Sequence, residues 1–293
     1  MRHTVKEKDS ADRPAVFFTG FTPAAHRGAS YQFPQNTLDA FRRAQEVLPG
    51  CLIETDVRMT VDGAIVVFHD ETLDHTTNGA GPLRGVTLGE IRLLDAGHGI
   101  TFDGGRSFPF RGKGFRIPLL SEALDAFPCV KFSIDIKDND FAAAERVIEI
   151  ITERNAGVRV IAGSFHDRIV RFVREHDRMP FTSFCKNEVI RFLAAQKLGL
   201  SRLMRAGGDA MLIPEFAGGA HYEYMGRGLT GGVRIITPGL IGAAHRRGIP
   251  VLAWTINRPE NMRRLIGWGV DGIVTDRIDI LKRVMSDTGT QPQ

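Results

Sequence analysis

A chain of 293 residues, 43% hydrophobic and 25% charged, has material for one large core and has the length of a single α/β barrel. Its net charge of +4 is mild, and its arginines are scattered rather than gathered into the basic stripe of a nucleic-acid binder, so small anionic ligands are the expected partners. No apolar run reaches the length of a membrane span, and residues 1–14 lack the apolar stretch of a signal peptide, so a cytoplasmic protein is expected.

From residue 22 onward, strand-like apolar runs alternate with amphipathic helical stretches. The first strand, 22–26, is followed by a helix at 37–47 with Asn36 as its expected N-cap. The second, 51–57, is extended by an additional strand at 64–68 through the turn dipeptide Asp62-Gly63, which predicts a hairpin. A glycine-rich excursion, 78–116, then carries Phe102, Phe108, Phe110 and Phe115 among Arg106, Arg111 and Lys113. Long loops within a compact domain are usually lids or mobile surface. The remaining pairs are strand 130–137 with helix 141–154, 158–163 with 167–175, 181–185 with 187–198, 210–214 with 239–247, 250–256 with 259–268, and 271–275 with 277–285. A second glycine-rich loop, 216–232, contains Tyr222 and Tyr224, and Gly248 is the expected cap of helix 239–247. Eight β-then-α units predict an α/β fold of the (β/α)8 TIM-barrel type, with a hairpin extension and a long inserted loop after the second strand. One domain is expected, with its core at about 22–285 and tails at 1–14 and 286–293. Cys51, Cys129 and Cys185 lie far apart without CxxC spacing, which predicts buried reduced thiols.

Residues i and i+2 of a strand share a face, so Leu52, Glu54 and Asp56 point the same way, as do Asp135 and Lys137. Two carboxylates side by side on a core strand repel and lose hydration, and such a pair persists only if basic side chains or a cation compensate. Barrel enzymes build their sites where strands end and βα loops begin. His26, Glu54, Asp56, Asp135, Lys137 and Trp254 all fall there, Ser164 follows the fourth strand, and His69 arrives through the hairpin. Three acids, a lysine and two histidines describe a hard-metal site that handles an anion.

Taken together, AHRGAS at 25–30, PQNTLDAF at 34–41, IETDVRMTVDG at 53–63, VVFHDETLDHTTNG at 66–79, FSIDIK at 132–137, GSF at 163–165 and WTIN through GVDGIVTD at 254–276 resemble the glycerophosphodiester phosphodiesterase family, in family order. The family is related to the phosphatidylinositol-specific phospholipase C-like barrels. The resemblance implies a divalent cation, Mg²⁺ or Ca²⁺, on Glu54, Asp56 and Asp135, with His26 and His69 as the acid–base pair. It also implies Arg27 and Lys137 on the phosphate, and a glycerol 2-hydroxyl nucleophile deprotonated by His69 while His26 protonates the leaving group. Oxygen-only ligands suit those cations, and a phosphodiester needs its charge spread in the transition state. Trp254 is the further candidate for touching substrate. Three positions depart from the family pattern: Asp135 and Gln35 each stand for a glutamate, and His75 for an arginine.

The expected reaction is hydrolysis of small-molecule glycerophosphodiesters to sn-glycerol 3-phosphate and an alcohol. Lysophospholipase D-like cleavage and a catalytically silent phosphodiester-binding barrel are the alternatives. A metal-free reading also stands at this point, with Glu54 and Asp56 paired to Arg27 and Lys137 as a structural ion cluster. His75, His98, His166, His176, His221 and His245 are expected to be surface or structural, and the phenylalanines of 102–115 either anchor the loop or meet a leaving group.

Overall fold

The computed structural model describes residues 17–176, 181–204, 207–217 and 232–292. The first half of the chain gives β1 (Thr22–His26), α1 (Leu38–Val47), β2 (Leu52–Met59), β3 (Ile65–Val67), α2 (Leu88–Ile91), α3 (Leu120–Ala126), β4 (Phe132–Ile136) and α4 (Phe141–Glu153). Then come β5 (Val160–Gly163), α5 (Asp167–Glu175), β6 (Phe181–Thr182), α6 (Lys186–Lys197), β7 (Met211–Pro214), β8 (Phe216–Ala217) and β9 (Val233–Arg234). The last elements are α7 (Pro238–His245), β10 (Val251–Trp254), α8 (Pro259–Gly267), β11 (Gly272–Thr275) and α9 (Ile278–Thr288).

Eight of these strands are parallel neighbours in the order β6-β5-β4-β2-β1-β11-β10-β7, and β3 pairs antiparallel with β2 as the expected hairpin. The two ends of that series meet through a parallel bridge between Ser183 and Ala210, where the Asp209 N–H donates to the Thr182 carbonyl at 2.7 Å and the Phe184 N–H to that of Ala210 at 2.9 Å. The sheet thus closes into the predicted barrel.

The alternation expected along each strand is what fills it. Ala24, Leu52, Ile161, Phe181, Leu252 and Val274 come from six different strands and pack together with Ala210, Phe17 and Phe18 inside the barrel. Their sequence neighbours Ala25, Ile53, Ala162, Met211, Val251, Ala253 and Ile273 pack instead with the apolar faces of the helices. Glu54, Asp56, Asp135 and Lys137 continue the inward series toward the carboxyl ends of the strands.

Several boundaries differ from the expectation. The N-cap of α1 is Thr37, whose hydroxyl accepts the Ala40 N–H at 3.2 Å, rather than Asn36, which takes a left-handed φ of 58° and serves the site. Helix α7 closes at Arg246, and Gly248 (φ 64°) forms the turn beyond it. Strand β6 is only two residues long, although the Ser183 N–H still donates to the Ala162 carbonyl of β5 at 2.9 Å. The helix behind β2 is α3, too short for its period to show in the sequence. The β8–β9 hairpin was not expected, and the part of the second glycine-rich loop that carries Tyr222 and Tyr224 lies outside the described residues. Cys51 and Cys185 are buried thiols, pushed up to about 12 and about 11 by desolvation, whereas Cys129 is exposed in the turn before β4.

The inserted loop packs on the hairpin segment through a small core in which Leu83, Ile91 and Ala96 meet Val66, Phe68, Leu73 and Ile117. Phe110 stacks on Phe33 at 5.8 Å and meets Phe115 edge-on at 5.3 Å, so these rings anchor the loop to the segment after β1. Phe102 and Tyr31 remain partly exposed, 5.8 Å apart. No described helix is long and apolar enough to cross a membrane.

Candidate active site

The strand ends bring His26, Arg27, Glu54, Asp56, Asp135 and Lys137 to one rim. The register pairs His26 with Glu54 and Asp56 with Asp135 across neighbouring strands. Directly after β1 the backbone turns sharply: Arg27 takes φ 55° and Gly28 φ 82°. A Cβ on Gly28 would stand 2.7 Å from the Ala40 carbonyl carbon, so only glycine fits. A left-handed arginine costs about 1–2 kcal/mol. The turn is held by the Arg27 N–H on the Glu54 carbonyl (2.8 Å) and by the Asn36 N–H on that of Arg27 (3.0 Å).

Asp56 is the anchor of the cluster. Its Oδ1 accepts from Lys137 Nζ at 2.8 Å, and its Oδ2 accepts from Asn36 Nδ2 at 2.9 Å. Arg27 Nε lies 3.1 Å from the same Oδ2, close enough for an ion pair but without hydrogen-bond alignment. Burial pushes the Asp56 carboxyl up, but Arg27 and Lys137 outweigh it and hold the group well below the usual carboxylate range. The same pairing, against their own desolvation, raises the pKa of Arg27 and of Lys137. Arg27 Nη1 also donates to Gln35 Oε1 (2.8 Å), and Lys137 Nζ to Asp135 Oδ2 (2.5 Å).

Glu54 and Asp135 are not so satisfied. Burial, and then the neighbouring Asp56 charge, push the Glu54 carboxyl up to about 7. Its nearest donors are the Arg27 N–H at 3.3 Å and His26 Nε2 at 3.8 Å. Asp135 Oδ1 is buried without a hydrogen-bond partner. An uncompensated buried carboxylate beside an orphaned carboxylate oxygen is an oxygen-only donor set that a hard cation would satisfy. Among the described residues no group of three His, Cys, Asp or Glu stands in ligand arrangement, because Asp56 already serves Arg27, Lys137 and Asn36.

The raised Glu54 pKa has a measurable consequence. Its protonated form favours folding, a stabilisation complete below the usual glutamate range and lost as pH rises through about 7. With chelator present, the melting temperature of the wild type relative to Glu54→Gln is expected to fall by a few degrees between about pH 5 and about pH 8. A difference that stays flat with pH would remove the like-charge repulsion assigned to this pair.

Each histidine is oriented by its own carboxylate. His26 Nδ1–H donates to Asp276 Oδ1 at 2.6 Å, and Asp276 also accepts from Ser30 Oγ (2.8 Å) and Asn257 Nδ2 (2.7 Å). Burial raises the Asp276 carboxyl, but His26 and these hydrogen bonds bring it down to about 2. An ionised acceptor fixes the proton on Nδ1 and leaves Nε2 on the Glu54 side. His69 Nδ1–H donates to Asp70 Oδ1 at 2.6 Å, and Arg58 Nε holds the His69 carbonyl at 2.9 Å. Burial lowers the His69 pKa despite the Asp70 hydrogen bond, which keeps the ring neutral at neutral pH. The Trp254 ring meets Phe165 edge-on at 5.9 Å, and Lys137 Nζ lies 5.4 Å from the centre of the same phenylalanine.

Asp276, Asn36, Gln35 and Asn257 belong to this site without having been singled out as site residues in the sequence. Asp276 directly follows β11, and the strand-end rule that found His26 would have found it. Asn36 reads as a helix cap in the sequence, and asparagine is equally one of the few residues that enter the left-handed region, so its type alone does not choose between the two.

Known proteins match this chain closely. A sequence model described as the glycerophosphoryl diester phosphodiesterase family matches residues 26–280. A glycerophosphodiester phosphodiesterase of Caldanaerobacter subterraneus subsp. tengcongensis is 34% identical over 273 residues, covering 90% of this chain and 98% of that protein. A glycerophosphoryl diester phosphodiesterase domain from Mycobacterium tuberculosis is similar in structure, with a TM-score of 0.78 at 19% identity, covering 92% of this chain and 99% of the other. An Oleispira antarctica phosphodiesterase in complex with the product sn-glycerol-3-phosphate follows at a TM-score of 0.68 and 20% identity, covering the same 92% and 99%. At those identities the two structures establish the shared fold.

Proposed function

Because the chain belongs to the glycerophosphoryl diester phosphodiesterase family, we propose that it hydrolyses glycerophosphodiesters to sn-glycerol 3-phosphate and an alcohol, with His69 and His26 as base and acid. It is an enzyme of that family, and the residues at the barrel rim supply the parts this reaction needs. The observation that carries the reading is the pair of carboxylate-oriented histidines, His26 on Asp276 and His69 on Asp70, flanking the Arg27–Asp56–Lys137 cluster.

In this reading His69 Nε2 takes the proton of the glycerol 2-hydroxyl, whose oxygen attacks phosphorus. The bond from phosphorus to the alcohol oxygen breaks, and His26 gives that oxygen its proton. The product of this half is a cyclic phosphate. His26, now neutral, then takes a proton from water, the water oxygen attacks phosphorus, and protonated His69 returns a proton to the 2-oxygen as the ring opens. Arg27 and Lys137 stay charged throughout, because Asp56 holds them so, and they offset the negative charge of the phosphate oxygens. Glu54 and Asp135 would hold a divalent cation, with Asp56 beside them, and such a cation spreads the same charge as a Lewis acid. Oxygen-only donors suit Mg²⁺ or Ca²⁺.

The test is a panel of glycerophosphodiesters, read by coupled detection of sn-glycerol 3-phosphate, and of lysophospholipids, read by coupled detection of the released alcohol, each with and without EDTA. Release from the diesters, loss in EDTA and recovery with Mg²⁺ or Ca²⁺ are expected. Undiminished turnover by metal-free enzyme would overturn the cation role, and turnover of lysophospholipids alone would move the activity to lysophospholipase D.

A further inference from the structure

The Asp70 carboxylate does not serve His69 alone. Its Oδ1 takes the His69 Nδ1–H at 2.6 Å, and its Oδ2 takes the Nδ1–H of a second imidazole, His75, at 3.1 Å. The His69 side chain is 28% exposed and that of His75 79%, so the array runs from the rim of the site to solvent. His75 is not on a free tether. The inserted loop backs it so closely that a Cβ on Gly99 would stand 2.0 Å from the His75 carbonyl oxygen, and the Gly99 N–H donates to the Thr76 carbonyl at 3.1 Å. The charged groups that face the His75 ring are Asp70 and, at longer range, Arg27. Its sequence neighbour Asp74 is turned away onto the Gly81 N–H at 3.0 Å.

We propose that His75 is a positioning residue of the reaction: it takes one oxygen of Asp70 while His69 takes the other, and its charge sets how much of that carboxylate His69 receives. The inference rests on the reading of His69 as the base. Asp70 stays ionised because the hydrogen bonds from His69 and His75 outweigh its partial burial. The Asp70 hydrogen bond raises the His75 pKa, while burial lowers that of His69. Two imidazolium rings sharing one carboxylate repel each other, so a proton on His75 opposes a proton on His69. His69 therefore keeps a free Nε2 to lower pH than Asp70 alone would allow, and the acid limb of the pH–rate profile moves with it.

The experiment uses the full chain with Mg²⁺ supplied, comparing wild type, His75→Asn and His75→Arg. It reads the pH profile of kcat/KM on glycerophosphocholine and, separately, the titration of the His69 ring by heteronuclear NMR. His75→Asn removes the neighbouring charge and is expected to move the acid limb and the His69 titration upward by about half a pH unit, a roughly threefold loss of kcat/KM on that limb. His75→Arg keeps a permanent cation and is expected to hold both at their wild-type positions. A uniform loss of kcat/KM with an unmoved His69 titration in His75→Asn would overturn the proposal, as would equal upward shifts in both variants. A wild-type acid limb that does not follow the His69 titration would count against the base assignment, and the His69 shift in His75→Asn then still decides the proposal by itself.

Discussion

His69→Ala is expected to lower kcat by about 10²–10⁴-fold, the usual contribution of a positioned acid or base, and His26→Ala to do the same. The two losses have different chemistry and can be told apart. In the proposed roles His26 protonates the departing alkoxide, so a substrate that leaves as p-nitrophenolate needs little help from it. Glycerophospho-p-nitrophenol should therefore restore much of the rate of the first, p-nitrophenolate-releasing half to His26→Ala and little to His69→Ala. Rescue of His69→Ala instead would reverse the assignment of acid and base. The orienting carboxylates should leave the same signature more weakly. Asp276→Asn donates to its histidine rather than accepting from it, and so disturbs the Nδ1 proton that leaves Nε2 facing the site.

The second large effect is expected on folding. Asp56→Ala leaves Lys137 and Arg27, 13% and 15% exposed, without the carboxylate that both share. Breaking a buried ion pair by removing one partner costs about 3–5 kcal/mol, because the remaining charge stays desolvated. Each kilocalorie shifts the melting temperature of a domain of this size by roughly 2–4 °C. Asp56→Ala is thus expected to melt far below wild type, and to lose activity as Arg27 and Lys137, the proposed partners of the phosphate, lose their positions. Glu54→Gln should behave in the opposite way in chelator. It removes one of two repelling carboxylates, so stability is kept or gained while the cation-dependent rate is lost. Equal destabilisation by the two variants would contradict the division between an anchoring Asp56 and an open Glu54.

That division marks where sequence reading stopped. The inward series Leu52, Glu54, Asp56 and the pair Asp135, Lys137 were legible because strand periodicity is strict and the acids interrupt apolar runs. The closed barrel was legible from eight alternating units. That Asp56 alone takes both Arg27 and Lys137 was not, because that depends on side chains crossing between strands and loops distant in sequence. Asp56 reaches Asn36 and Arg27 across a neighbouring loop, and Asp276 meets His26 from 250 residues away. His75 looked like a surface residue, and it is exposed. Its hydrogen bond to Asp70 depends on a five-residue return of the chain that no periodicity announces.

The proposed roles require that the bond between phosphorus and the alcohol is cut and that the phosphate stays on glycerol. Following glycerophosphocholine by ³¹P NMR with the wild-type enzyme and Mg²⁺ tests it most directly. A transient cyclic glycerophosphate signal is expected, giving way to sn-glycerol 3-phosphate, with no phosphocholine at any time. Phosphocholine as the phosphorus-bearing product would contradict it.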